Sequence, residues 1–146
     1  VLPRLSERAK AILFVAVLGV TIASLWAYAS AAQPPPVAPR SVHVDLVIEG
    51  AGWSLVYTAN GTLNNTAFSI LREASARLGF DLDYMRYTLP PGVFVTSING
   101  TPNGEGGSFW QYWVDGVYGN RAADQYELHD GDSVRWAFVP PQEGAS

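Results

Sequence analysis

The sequence predicts an α+β protein: a two-layer domain with one helix on a mixed sheet, preceded by a single N-terminal transmembrane helix. Three observations carry that prediction. Residues 11–32 form an uncharged apolar run. Residues 66–78 carry an amphipathic helical repeat. The rest of residues 41–139 reads as short alternating strands punctuated by Gly, Pro, Asn-Gly and Asp-Gly.

The apolar run AILFVAVLGVTIASLWAYASAA holds 18 apolar residues in 22. A bilayer core of about 30 Å needs about 20 helical residues, so the run is long enough to span. Arg4, Arg8 and Lys10 precede it, against Glu7 alone. The positive-inside rule then places residues 1–10 in the cytoplasm and the C-terminal domain outside the cell. Trp26 and Tyr28 fall near the outer end, where amphipathic rings favour the interface. A cleaved signal peptide is the competing reading, supported by the basic start and by Ala27, Ala29 and Ala31. A pilin-like stem packed in a filament core is a third.

Residues 33–40, QPPPVAPR, contain four prolines and read as an extended, semi-rigid linker. The outer domain begins at residue 41. Val42, Val44, Leu46 and Ile48 alternate with His43, Asp45, Val47 and Glu49, the pattern of a half-buried strand. Gly50-Ala51-Gly52 turns the chain into a second strand over 53–58, and Asn60-Gly61 marks a further turn. Ala67, Leu71, Ala74 and Leu78 repeat at helical spacing after the cap candidates Asn64, Asn65 and Thr66, and Gly79 is placed to end that helix. Strands follow over 82–88, 93–98 and 109–114, with Asn99-Gly100 and Asp115-Gly116 as turns. Tyr126 to Leu128 and Ser133 to Val139 complete the strand set, and residues 140–146 form a tail. Hairpin, helix, then several strands is the order of a β-grasp-like domain over 41–139.

The 146 residues carry a net charge of −4 and no cysteine. The absence of cysteine excludes disulfides, thiolate metal sites and a cysteine nucleophile. The charge divides into +2 over residues 1–10 and −6 over 33–146. An acidic outer domain argues against a nucleic-acid partner. No G-x-S-x-G, H-E-x-x-H or Walker loop occurs, and the two histidines, His43 and His129, lie apart in sequence. No enzyme activity and no cofactor are expected.

The aromatic strand carries the candidate contact residues Phe109, Trp110, Gln111, Tyr112 and Trp113, with Tyr126 beyond it. Strand alternation puts Trp110 and Tyr112 on one face and Phe109 and Trp113 on the other. A sheet with one helix buries one face well, so one of these pairs is expected to be exposed for binding. Asp124, Asp130 and Asp132 are weak metal candidates, since the full calcium-loop pattern is absent. Asn60, Asn64 and Asn99 begin glycosylation sequons.

Trp110-Gln111-Tyr112-Trp113-Val114-Asp115-Gly116, then Ala123-Asp124-Gln125-Tyr126, Asp130-Gly131-Asp132 and Trp136, follow Ile48-Glu49-Gly50 and Ser97 to Gly100. In order and spacing this set resembles the C-terminal β-rich domain of transcobalamin and intrinsic factor, and the prokaryotic family of unknown function that shares it. The resemblance covers roughly residues 42–139. It implies the fold more than the ligand, and the prokaryotic relatives are mostly exported modules without an assigned activity. The vitamin carriers clamp cobalamin between this domain and a helical barrel. Corrinoid contact by Trp110 and Gln111 would then need a second protein as the other jaw.

The expected function is that of a membrane-anchored extracytoplasmic binding or structural module. It would serve as an accessory subunit of a larger membrane or cell-surface assembly, with the bilayer and other proteins as partners. The alternatives are capture of a small, corrinoid-like ligand and a subunit of a surface filament.

Overall fold

A computed structural model describes residues 6–32 and 36–142. Residues 1–5 of the basic segment, 33–35 of the proline-rich stretch and 143–146 of the tail lie outside the described residues. The chain divides into two units, Val1–Pro34 and Pro35–Ser146.

The first unit is one helix, α1, Glu7–Ala31. Ser6 caps it by accepting from the Ala9 amide at 3.2 Å, and Lys10 pairs with Glu7 at 2.7 Å. Its 25 residues rise about 37 Å at 1.5 Å each, enough to cross a membrane. None of them is buried. The Thr21, Ser24 and Ser30 hydroxyls donate to the helix carbonyls of Leu18, Val20 and Trp26 at 2.8–2.9 Å. The run's serine and threonine hydroxyls are thus satisfied without water, as an apolar surrounding requires. Length and composition make α1 a candidate membrane span, and a signal sequence near an N-terminus meets the same test.

The second unit contains β1 (Val42–Glu49), β2 (Ser54–Thr62), α2 (Ala67–Leu78), β3 (Leu82–Thr88), β4 (Pro91–Ile98), β5 (Thr101–Pro102), β6 (Phe109–Val114), β7 (Val117–Tyr118) and β8 (Asp132–Val139). The strands form two sheets rather than the single sheet expected. Five strands run in the order β2-β1-β8-β6-β7, and three in the order β3-β4-β5. β1 and β8 pair in parallel and the other pairs are antiparallel, so the larger sheet is mixed.

Val42, Val44, Leu46 and Ile48 are all buried, as their alternation predicts. α2 lays Phe68, Ile70, Leu71 and Ala74 into the same core. Thr66 caps it in a reciprocal box with Ser69, and Gly79 ends it at φ 76°. Phe68 meets Tyr84 of β3 edge-on at 4.7 Å, and the Trp136 indole of β8 donates to the Ala67 carbonyl at 3.2 Å. The helix start therefore touches both sheets.

Two further expectations are corrected. Asn60-Gly61 lies inside β2: Val44 pairs with Ala59 and Val42 with Thr62, leaving one extra residue on β2. Gly61 at φ 67° accommodates the bulge, so the residue pair that can close a hairpin here kinks a strand. Tyr126 to Leu128 form no strand beyond a single bridge between Thr66 and Glu127. Their backbone instead serves the helix start. The Ala123 and Tyr126 carbonyls accept from Phe68 and Ala67, and the Leu128 amide donates to Asn65. Helix N-termini leave such amides without internal partners, and the 123–128 loop supplies them.

Candidate functional site: an aromatic cleft between the sheets

β6 turns Trp110, Tyr112 and Val114 into the core. Trp110 and Tyr112 are 5% and 7% exposed, so they are structural rings and not a free contact surface. The Trp110 indole donates to the Thr101 carbonyl at 2.8 Å and packs on Trp53 and Phe138. Tyr112 is held between Trp136 and Tyr126, and its hydroxyl donates to the Arg121 carbonyl at 2.6 Å. Burial pushes the Tyr112 phenol far above its usual value. Phe109 and Trp113 form the more exposed pair. Trp113 stacks edge-on to Tyr118, with the Arg135 guanidinium 4.9 Å from its ring centre.

Beside β6 the two sheets leave a cleft. Phe94 projects from β4, Phe109 from β6 and Tyr118 from β7, at 46%, 38% and 40% exposure. Together with Pro141 and Gln142 they line a recess of about 310 Å³, with Trp110 and Gln111 at its floor. A second recess of about 170 Å³ adjoins it and shares Phe94, Trp110, Gln111 and Tyr118. Gln111 is buried, and its amide donates to the Val139 and Pro140 carbonyls at 3.1 and 3.0 Å. Asn103 fixes the far wall by donating to the Val95 carbonyl while accepting from the Trp110 amide, both at 2.8 Å. Three half-exposed rings on a hydrogen-bonded frame make a pre-formed apolar surface with a polar rim.

Of the sequence candidates, Phe109, Trp110 and Gln111 reach this cleft. Tyr112 supports it from within, while Trp113 does not line it and packs on Tyr118. Tyr126 borders another cavity of about 550 Å³, which meets the cleft at Tyr118, with Asp115, Arg121, Glu127, His129 and Asp132. The acids there are engaged. Asp115 accepts from the Ser133 amide at 2.9 Å, Asp132 from the His129 amide at 2.7 Å, and Glu127 pairs with Arg40 at 3.1 Å. Phe94 and Tyr118 were not singled out by the sequence. Each is an unremarkable aromatic in a short strand, and their convergence arises where two sheets meet.

The three metal candidates do not gather. Asp124 accepts from the Val93 amide at 2.9 Å and Asp130 from the His43 amide at 2.7 Å, while Asp132 is bound as above. Among the described residues no three His, Asp or Glu side chains form a group suited to a metal ion. Of the sequons, Asn60 and Asn99 are exposed. The Asn64 amide donates to Glu73 at 2.6 Å. Glu73 also accepts from Tyr57 at 2.6 Å and from Thr62, tying α2 to β2. Burial alone would raise its carboxyl. The three hydrogen bonds and the Arg77 charge outweigh that and hold it below the usual range. Tyr57 is raised, first by burial and then by its bond to Glu73.

No curated protein matches the sequence. Among solved structures the chain is similar to a candidate metal-binding protein from Ruminococcus gnavus, with 16% identity and a TM-score of 0.53, over 69% of this chain and 99% of that one. It is also similar to haptocorrin in complex with Cbi, with 17% identity and a TM-score of 0.53. That match covers 75% of this chain but 28% of haptocorrin, so the chain spans under a third of that protein. At such identities the likeness concerns the fold. The profile of the domain of unknown function DUF4430 matches residues 64–139, more than half of the chain, and the chain belongs to that family.

Proposed function

We propose that this chain is a non-catalytic binding module that holds a small, amphipathic, corrinoid-like ligand against Phe94, Phe109 and Tyr118. The single observation that carries this reading is the convergence of three half-exposed rings from both sheets on one fixed recess. Exposed aromatics placed this way lose little freedom on binding and offer large apolar area. The fold likeness to haptocorrin with its bound Cbi supports the ligand class. The parallel β1–β8 pair at the sheet centre, with α2 packed on it, supports a β-grasp-type scaffold.

α1 anchors the module in a membrane in this proposal, and the proline-rich linker carries the domain on the extracytoplasmic side. The recess is open, so a second protein closes over the ligand, and the chain works as the accessory half of a larger membrane assembly.

Titration of the full chain in mild detergent with Cbi tests the reading. Trp110 forms the floor, so saturable, stoichiometric quenching of tryptophan emission is expected, and Phe94→Ser weakens it. Linear, non-saturating quenching identical in both chains contradicts the proposal.

A further inference from the structure

The sheet edges in this domain are treated unequally. Open strand edges expose unpaired amides and carbonyls and invite another strand, and proteins blunt them with short strands, charges, proline or side-chain caps. β7 has two residues, and beyond it Asn103 caps the Trp110 amide and the Gly119 amide caps the Tyr112 carbonyl. β5 has two residues and ends in Pro102. β3 carries Asp83 and Arg86.

β2 has none of these devices over its regular part. It is nine residues long, contains no charge and no proline, and pairs with β1 alone. Among the described residues, no hydrogen bond from outside β1 reaches the main chain of residues 54–61. Val56 stands 68% exposed at the middle of its regular stretch.

The residues of this edge are also self-complementary. If two copies pair antiparallel about Val56, Val56 faces its own counterpart. Ser54 then faces Thr58 on the same, outward side. On the inward side Leu55 faces Tyr57. Small hydroxyl residues meet each other and Leu55 meets the Tyr57 ring, with the Thr58 hydroxyl donating to Asp45 of β1 at 2.7 Å and the Tyr57 hydroxyl to Glu73 at 2.6 Å, and the stretch ends where the Asn60-Gly61 bulge breaks it. An uncharged strand in a domain of net −6 is also a place where two copies meet without opposing like charges.

We infer that β2 is a homotypic interface: two copies of this chain join through antiparallel β2–β2 pairing centred on Val56, forming a ten-stranded sheet with two-fold symmetry. Two five-stranded sheets meet edge to edge, so the symmetry closes the assembly at two copies and leaves no further β2 edge open. The aromatic cleft lies beside the opposite edge of each sheet, so pairing leaves both clefts free.

The chain has no cysteine, which makes the test direct. Single cysteines are introduced into the full chain at Val56 and, on the opposite edge, at Val117, and each is oxidised mildly in detergent micelles. Val56→Cys is expected to give at least about tenfold more disulfide-linked dimer than Val117→Cys. Mixing Ser54→Cys with Thr58→Cys is expected to give the mixed dimer in preference to either self-linked one. Val56→Lys places like charges opposite each other and is expected to abolish linkage through Thr58→Cys and Ser54→Cys while leaving the circular dichroism unchanged. Equal linkage at Val56 and Val117 would show association through α1 or micelle crowding and overturn the inference. So would absence of linkage at Val56, which leaves the edge to a strand of another protein or to none.

Discussion

Gly119 is the position where one added methyl group is most informative. A Cβ there would lie 2.1 Å from Cζ of Tyr112 and 2.2–2.6 Å from two further ring atoms. A flexible, exposed side chain could swing away from such a contact. Tyr112 cannot do so cheaply, because Trp136 and Tyr126 pack on its ring and its hydroxyl is bound to the Arg121 carbonyl. Overpacking of this kind costs about 1–3 kcal/mol, and losing the buried hydroxyl bond adds about 1 kcal/mol. The expected destabilisation by Gly119→Ala is therefore about 2–4 kcal/mol, or roughly 10–25 °C in Tm for a domain of this size. Urea unfolding followed by near-ultraviolet circular dichroism measures it. A double-mutant cycle isolates the cause: in a Tyr112→Leu background, which removes the ring, Gly119→Ala should cost under about 1 kcal/mol. A Tm change within about 2 °C for the single variant, or an equal cost in both backgrounds, would mean that the Tyr112 ring does not fill the space over Gly119.

Other outcomes follow from the same structure. Gly50→Ala brings a Cβ to 2.1 Å from Trp53, a partly buried ring that packs on Trp110 and donates to the Thr101 hydroxyl at 3.4 Å. With one packed ring and a long hydrogen bond it is held less firmly than Tyr112, so the cost should be smaller than at Gly119, as parallel melts would show. Phe68→Ala empties the junction of α2 and β3 and should cost about 3–5 kcal/mol in chemical unfolding. Glu73 has a lowered pKa when folded, so its stabilising contribution is present above its usual 4.5 and is lost as pH falls through the depressed value. Glu73→Gln should flatten the acid limb of a stability-against-pH curve. Tyr57 has a raised pKa when folded, so its contribution is full below its usual 10.0 and fades as pH rises through the raised value. Tyr57→Phe should flatten the alkaline limb.

The helix and the first strand were legible because their signals are local. Caps at Thr66 and Gly79 and a two-residue alternation over 42–49 each act within one element. Other features depended on distant parts of the chain. Asn60-Gly61 has the same conformational chemistry in a turn and in a bulge, and pairing with β1 decides between them. Tyr126 to Leu128 look like a strand until their carbonyls and amides are claimed by the helix start. The two faces of the aromatic strand could be separated by parity. Which face would be buried could not, because that depends on the side taken by α2 and the smaller sheet. The cleft was half visible for the same reason: Phe109 was singled out, whereas Phe94 and Tyr118 join it through the meeting of β4 with β6 and β7.

In the proposed function the cleft is a ligand site. Calorimetric titration of Cbi into the full chain and into a Phe94→Ser, Phe109→Ser double variant of unchanged Tm tests it most directly. One-to-one binding to the parent chain is expected, with at least about tenfold weaker binding to the variant. Equal affinity in the two chains, or no heat of binding in either, contradicts it.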